Sequence, residues 1–240
     1  MKTAGDNTFN PDVEARISAL GNAGFLVSHG LVNILFDPFF QDVPGIERPA
    51  NPALMKNAVI LITHDHWDHL NVRAVIEAAA AGAVVLAPEP AIQKLGRRVP
   101  AEALIRMEPD DLGARTTTNV AGVNVTAFRT RHGQAHNSYL VETGSFRIFD
   151  DGDNEHTDCL DPSALQGLDA LMLCPWQGSQ WVEFIEKLAP RHWFLMHMTE
   201  EELDDHEHGR FLPDLCDRVP MDPIALRPGR SFVIRGRNAS

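Results

Sequence analysis

The sequence predicts an α/β fold, and three observations carry that prediction. Short apolar runs rich in β-branched residues recur along the 240 residues, separated by Gly, Asn and Asp turns. The elements come in the order mostly β, then βα, then mostly β, then βα again. A histidine-rich stretch directly follows one of the most apolar runs, at the strand end where open α/β sheets place their sites. Two such halves can pack sheet to sheet with helices outside, a four-layer αββα sandwich. Periodicity alone does not single that arrangement out.

Each element has its own signal. Residues 15–20, 25–28 and 32–36 read as strands, joined by Gly21-Asn22-Ala23-Gly24 and His29-Gly30, whose turn chemistry suggests hairpins. His29 then falls in a surface turn. Asp37-Pro38-Phe39-Phe40 opens a loop that ends near Pro52. Residues 59–62 read as a buried strand. Asn71 caps a helix running to residue 81. Residues 84–87 follow as a parallel strand and 90–95 as a short helix. Residues 104–107, 115–119, 123–129, 138–143 and 146–149 form successive strands with glycine-containing turns. Residues 170–174 are a further buried strand. Val182, Phe184, Ile185 and Leu188 recur on a helical period and predict a helix over 180–188. A strand at 193–196, a helix over 200–216 broken at Gly209 or Pro213, and a strand at 231–234 complete the chain. There is no internal repeat and no linker, so one domain over residues 1–240 is expected.

Composition narrows the function classes. A hydrophobic content of 44% supports a full core. No apolar run approaches the ~20 residues of a membrane span, and no transmembrane segment is expected. The first residues lack a signal-peptide apolar region. The formal net charge is −12 with no basic block, which argues against nucleic-acid binding because that rests on phosphate neutralisation. Cys159, Cys174 and Cys216 are odd in number and widely spaced, which suggests reduced thiols and a cytoplasmic location. A homo-oligomer is left open.

The chemistry concentrates in Thr63-His64-Asp65-His66-Trp67-Asp68-His69. Imidazole and carboxylate suit zinc, manganese and iron. His64 and His66 alternate as in an extended segment, so both can point the same way. Asp68 and His69 offer a second pair, so one loop can serve two adjacent ions.

This His-x-His-x-Asp-His pattern resembles the signature of the metallo-β-lactamase-fold hydrolases. Gly21-Asn22-Ala23-Gly24-Phe25-Leu26-Val27, Phe36-Asp37-Pro38-Phe39 and Pro228-Gly229-Arg230-Ser231-Phe232 are closest in look to the ascorbate-6-phosphate lactonase-like and N-acyl-phosphatidylethanolamine phospholipase D-like branch. The resemblance spans nearly the whole chain and implies the four-layer αββα sandwich, the metallo-β-lactamase fold. It also implies a third histidine after a later strand, then an acidic residue, then a final histidine. His132 in Arg131-His132-Gly133 matches the third histidine better than His136 does. His136 and Arg131 are left as residues behind the ligands or facing substrate, with a loop-capping role equally open for His136. Asp153 matches the acidic position in Asp150-Asp151-Gly152-Asp153-Asn154, with Asn154 where Thr is usual, and a solvated turn is expected for Asp150 and Asp151. His192 and His197 compete for the last position. Five residues apart, they face opposite sides of a strand, and His197 lies at the end where the other ligands gather.

The implied centre uses His64, His66 and His132 for one ion and Asp68, His69 and His197 for the other, with Asp153 bridging. The implied cofactors are two divalent metal ions, zinc first, with manganese or iron as alternatives. The implied reaction is hydrolysis of an ester, lactone or phosphodiester, with Asp153 and Asp68 as catalytic carboxylates and a small-molecule or amphipathic substrate. Arg129 and Arg131 are candidates for a phosphate or carboxylate of that substrate. A diiron redox protein on the same fold is the alternative, and a non-catalytic metal-binding protein a third. His66 speaks against the redox reading, because redox members resemble His-x-Glu-x-Asp-His.

Overall fold

The strand–turn pattern of residues 15–36 forms the first strands of one of two sheets. The computed structural model describes residues 10, 13–38, 58–210 and 221–236. The predicted loop beyond Pro38, including Phe39 and Phe40, lies outside these residues, as does Cys216. The strands are β1 (Glu14–Gly21), β2 (Gly24–His29), β3 (Val32–Phe36), β4 (Val59–Leu61), β5 (Val84–Ala87), β6 (Leu104–Arg106), β7 (Arg115–Val120) and β8 (Val123–Thr130). They continue as β9 (His136–Thr143), β10 (Phe146–Asp150), β11 (Ala170–Leu173), β12 (Trp193–Leu195), β13 (Ile224–Ala225) and β14 (Ser231–Arg235). The α-helices among the described residues are α1 (Val72–Ala80), α2 (Glu89–Leu95), α3 (Trp181–Leu188) and α4 (Glu200–Glu207).

Among the described residues two seven-stranded sheets result, ordered β14-β1-β2-β3-β4-β5-β6 and β13-β12-β11-β10-β9-β8-β7. In the first, β14 to β3 pair antiparallel and β3 to β6 parallel. In the second, β13 to β10 pair parallel and β10 to β7 antiparallel. The parallel strands are covered on both faces, which explains their unbroken apolar runs. Val59 and Leu61 of β4 point to the core between the sheets, where they join Val125, Val141 and Met172. Ile60 between them faces the other way, into the layer with Val75 and Ala78 of α1. Leu171 and Leu173 of β11 pack under Phe184, Ile185 and Leu188 of α3. Three apolar layers between four structural layers make the αββα sandwich.

Asn71 caps α1 as expected, its side chain accepting from the Ala74 N–H at 3.1 Å. α4 ends at Glu207, with Gly209, one of the two expected breaks, left-handed at φ +67° just beyond; the expected stretch over 211–216 lies outside the described residues. His29 is half-buried rather than free in an exposed turn. It ends β2, packs edge-on against Phe146 and bonds the Glu14 carbonyl through Nδ1 at 3.0 Å. The two-residue β13 had no sequence signal, because its pairing with β12 rather than its composition makes it a strand.

Direct hydrogen bonds tie the sheets beside the histidine loop. The Tyr139 hydroxyl on β9 donates to the Ile62 carbonyl at 2.9 Å. The Asn137 N–H donates to the Thr63 carbonyl at 2.9 Å, and its side-chain amide to the Met107 carbonyl at 2.5 Å. Tyr139→Phe keeps the ring volume and removes the donor from a fully buried site. It should lower stability by about 1–2 kcal/mol, read as a lower denaturant midpoint at unchanged slope. An unchanged midpoint would contradict the tie.

Candidate metal centre

The centre grows from one buried carboxylate. Asp37 follows β3, is fully buried and sits at φ +38°. Its Oδ1 accepts the Thr63 N–H at 2.8 Å, and its Oδ2 accepts the Thr63 hydroxyl at 2.5 Å and His69 Nδ1–H at 2.7 Å. Those bonds set two imidazoles. His69 donates its Nδ1 proton to Asp37, so Nε2 is the ring atom that faces the centre. The Thr63 oxygen, having given its proton to Asp37, accepts from His64 Nδ1 at 2.9 Å. His64 Nε2 is therefore bare.

The second sheet delivers the remaining groups. His132 follows β8, Asp153 follows β10 and His197 follows β12. His132 Nδ1 meets Glu155 at 3.2 Å, and its Nε2 lies 3.3 Å from His66 Nδ1. Asp153 Oδ2 lies 3.3 Å from His69 Nε2 and 3.4 Å from His197 Nε2. His197 Nε2 is 3.0 Å from His69 Nε2 and 3.5 Å from Asp68 Oδ2. The Asn22 side-chain amide holds Asp68 from behind, 3.2 Å from its carbonyl oxygen. Three overlapping groups have donor atoms within 4.8 Å of one another: His64-His66-His132, His64-His69-Asp153 and Asp68-His69-His197.

The residues fit a pair of cations. Five imidazole nitrogens and two carboxylates converge, and among the described residues no Lys or Arg side chain is paired with them. His64 Nε2 and Asp153 Oδ1 are buried with no hydrogen-bond partner among the described residues, and a buried acceptor without a partner is costly. Burial, aided by the charge on His69, pushes the His64 pKa far below its ordinary value and keeps the ring neutral. Burial also opposes charge on His69, but Asp37 and the bonds to Asp153 outweigh it and raise the pKa to about 10. Burial disfavours the Asp153 carboxylate too, yet His197 and His69 hold its pKa well below the usual range. The site thus already attracts positive charge, and a metal ion would take the place of the proton at His69 Nε2.

Seven of the residues singled out in the sequence meet here: His64, His66, Asp68, His69, His132, Asp153 and His197. The others do not. His136 is fully buried rather than facing substrate, with Nε2 and Nδ1 both engaged, and burial depresses its pKa. Arg131 is exposed, and its backbone, not its guanidinium, ties the loops through Asn154 and Glu155. Arg129 is held by Glu108 and the Gln134 carbonyl. His192 packs against Phe232, away from the cluster. The strand-parity argument does not apply, because β12 ends at Leu195, before His197. A left-handed φ of +63° and a bond from the His197 N–H to the Asn22 carbonyl aim that ring instead.

Asp150 and Asp151 are buried at 0% and 2% exposure, which corrects the solvated turn expected for them. Burial raises both carboxyl pKa values, that of Asp151 to about 7. Asp37, Thr63, Glu155 and Asn22 had not been assigned to the site. Asp37 carried a signal, an acid directly after a buried strand and before Pro38. The others become visible only in three dimensions.

Gly152 sits at φ +58°, and a Cβ there would meet His136 Nε2 at 2.6 Å. Gly122, at φ +80°, has open space instead. Both alanine variants should carry the strain of the left-handed region, about 1–2 kcal/mol. Gly152→Ala should lose clearly more because the imidazole must move. Denaturant midpoints test this, and equal losses would contradict the close approach.

The sequence pattern of the Beta-lactamase superfamily domain matches residues 32–203. A UPF0173 metal-dependent hydrolase of Symbiobacterium thermophilum is 23% identical over 237 residues, covering 91% of this chain and all of that protein. One from Nitratidesulfovibrio vulgaris is 29% identical, covering 50% of this chain and 49% of that one. With one from Salinibacter ruber, 39% identical, the match covers 26% of this chain and 27% of that one. The match thus spans half or less of those last two relatives. Igni18, a metallo hydrolase of Ignicoccus hospitalis, superposes with a TM-score of 0.68 at 13% identity, over 93% of this chain and all of that one. CmlA, a diiron β-hydroxylase of Streptomyces venezuelae, gives 0.65 at 17% identity over 94% of this chain and 55% of that one. At such identities these likenesses show the fold alone, and the family pattern, which covers more than half of the chain, shows that the chain belongs to the beta-lactamase superfamily.

Proposed function

We propose that this protein is a metal-dependent hydrolase that cleaves an ester, lactone or phosphodiester bond in a small or amphipathic substrate. The observation that supports this best is the convergence of seven ligand side chains in two groups with Asp153 between them. In this reading His64, His66 and His132 would hold one divalent ion and Asp68, His69 and His197 the other, with Asp153 placed to serve either. Zinc suits the imidazole-rich set, with manganese or iron as alternatives. When bound, the ions would supply an acidified water and a Lewis acid for the substrate oxygen, since coordination lowers the pKa of water from ~15.7 toward ~7.

The chain's own groups do the positioning. Asp37 and Glu155 keep the protons of His69 and His132 on Nδ1 and their Nε2 atoms free for the centre. Asp68 is half-buried at the mouth; as a metal ligand it would carry no proton, so the leaving group would take its proton from a water. Trp67 stands between His66 and Asp68 with 77% of its surface exposed and offers an apolar face to substrate. The formal net charge of −12 disfavours a nucleic-acid substrate. Among the described residues no helix is long and apolar enough to cross a membrane.

Protein purified without chelator should carry two equivalents of zinc, manganese or iron by elemental analysis. No more than trace metal would overturn the reading, and one equivalent would reduce it to a single site. In a screen across lactones, esters and phosphodiesters, His66→Ala and Asp153→Ala should abolish hydrolysis while His192→Ala retains it. Oxygen consumption with bound iron and no hydrolysis would instead favour a redox protein.

A further inference from the structure

We propose that His136 is a positioning residue for this centre: as a neutral imidazole protonated on Nδ1, it fixes the Asp153 backbone and links the loop of Asp153 to the loop of His132. The inference rests on the reading of Asp153 and His132 as ligands. It is carried by hydrogen bonds whose donors are fixed at every link, one branch running from the Asp153 N–H and the other from the Arg131 N–H, and both ending on Asp151. The Asp153 N–H can only donate, and it donates to His136 Nε2 at 3.0 Å. Nδ1 must then carry the ring proton, which goes to Thr130 Oγ1 at 2.7 Å. Thr130, having accepted, donates to Ser138 Oγ at 3.0 Å. Ser138 donates in turn to Asp151, 2.9 Å from its carbonyl oxygen and 3.1 Å from Oδ1. Asp151 Oδ1 also accepts the Asn154 side-chain amide at 3.1 Å, and Asn154 Oδ1 receives the Arg131 N–H at 3.3 Å.

The two branches therefore link the Asp153 backbone to the residue before His132. Its members Thr130, His136, Ser138, Asp151 and Asn154 are all buried. Water does not reach such a network to substitute for a missing partner, so each bond constrains the next. Gly152 gives an independent observation. The backbone passes so close to His136 Nε2 that a Cβ has no room. The imidazole is thus a mould for the turn that aims Asp153, and the Thr130 end of the chain sits two residues before His132.

The test is cobalt titration of the metal-free protein, followed by the visible absorption of bound Co2+, on the wild type and three variants. His136→Leu keeps bulk and removes the acceptor, and it should weaken cobalt binding about 10–100-fold, the usual effect of losing an outer-shell partner. His136→Gln restores an acceptor for the Asp153 N–H and should recover most of that loss. Thr130→Val breaks the next bond and should cost less than His136→Leu. Wild-type affinity in folded His136→Leu overturns the proposal, as does His136→Gln binding as poorly as His136→Leu. If His136→Leu does not fold, Thr130→Val decides: cobalt affinity equal to the wild type would overturn the proposal. Nitrogen NMR of the metal-free wild type reads the tautomer without any metal. His136 should show Nδ1–H and a bare Nε2, and Nε2–H would refute the proposal. Failure of the wild type to bind cobalt, with the expected tautomer present, would instead refute the ligand reading.

Discussion

The centre depends on the buried carboxylate of Asp37. An ionised group without solvent is stable only if its oxygens are fully engaged. Here the Thr63 N–H, the Thr63 hydroxyl and His69 Nδ1–H engage them. Each bond has a consequence further out. The bond to His69 fixes its tautomer. The bond from the Thr63 hydroxyl leaves that oxygen as an acceptor for His64. One charge at the end of β3 thereby turns two Nε2 atoms toward the place where Asp153 lies. The same charge favours a cation there, because positive charge at His69 is drawn toward both Asp37 and Asp153.

The fold meets the second requirement, that groups from two sheets arrive together. β4 carries the histidine loop, and β8, β10 and β12 carry His132, Asp153 and His197. The two sheets share an apolar core, but packing alone would tolerate sliding by fractions of an ångström. The bonds from Tyr139 and Asn137 to Ile62, Thr63 and Met107, and from the His197 N–H to Asn22, remove that freedom beside the site. Rigid positioning of this kind is what a closely spaced ligand set needs.

Much of this was legible in the chain because its signals are local. Apolar runs ended by Gly or Asn turns mark the strands, and the density of imidazole in residues 64–69 marks the loop. His132, Asp153 and His197 were reachable only through resemblance, since single residues far apart carry no spacing signal. Burial of Asp150 and Asp151 was not legible. Acids in a Gly-containing turn are ordinarily solvated, and here the Gly152 N–H engages one oxygen of Asp150 while Ser138 and Asn154 engage Asp151. His29 and His136 likewise owe their places to Phe146 and to the Asp153 backbone, groups distant in sequence. β13 is a strand through its neighbour alone.

The most direct measurement is zinc titration of metal-free Asp37→Asn beside the wild type by calorimetry. An asparagine amide can turn a donor toward His69 Nδ1–H, which drives the ring to the other tautomer and places a proton where the lone pair should be. The site at His69 should weaken about 10–100-fold while the fold persists, and the site at His66 and His132 should be affected less. Zinc binding identical to the wild type at both sites would contradict the dependence of the centre on Asp37.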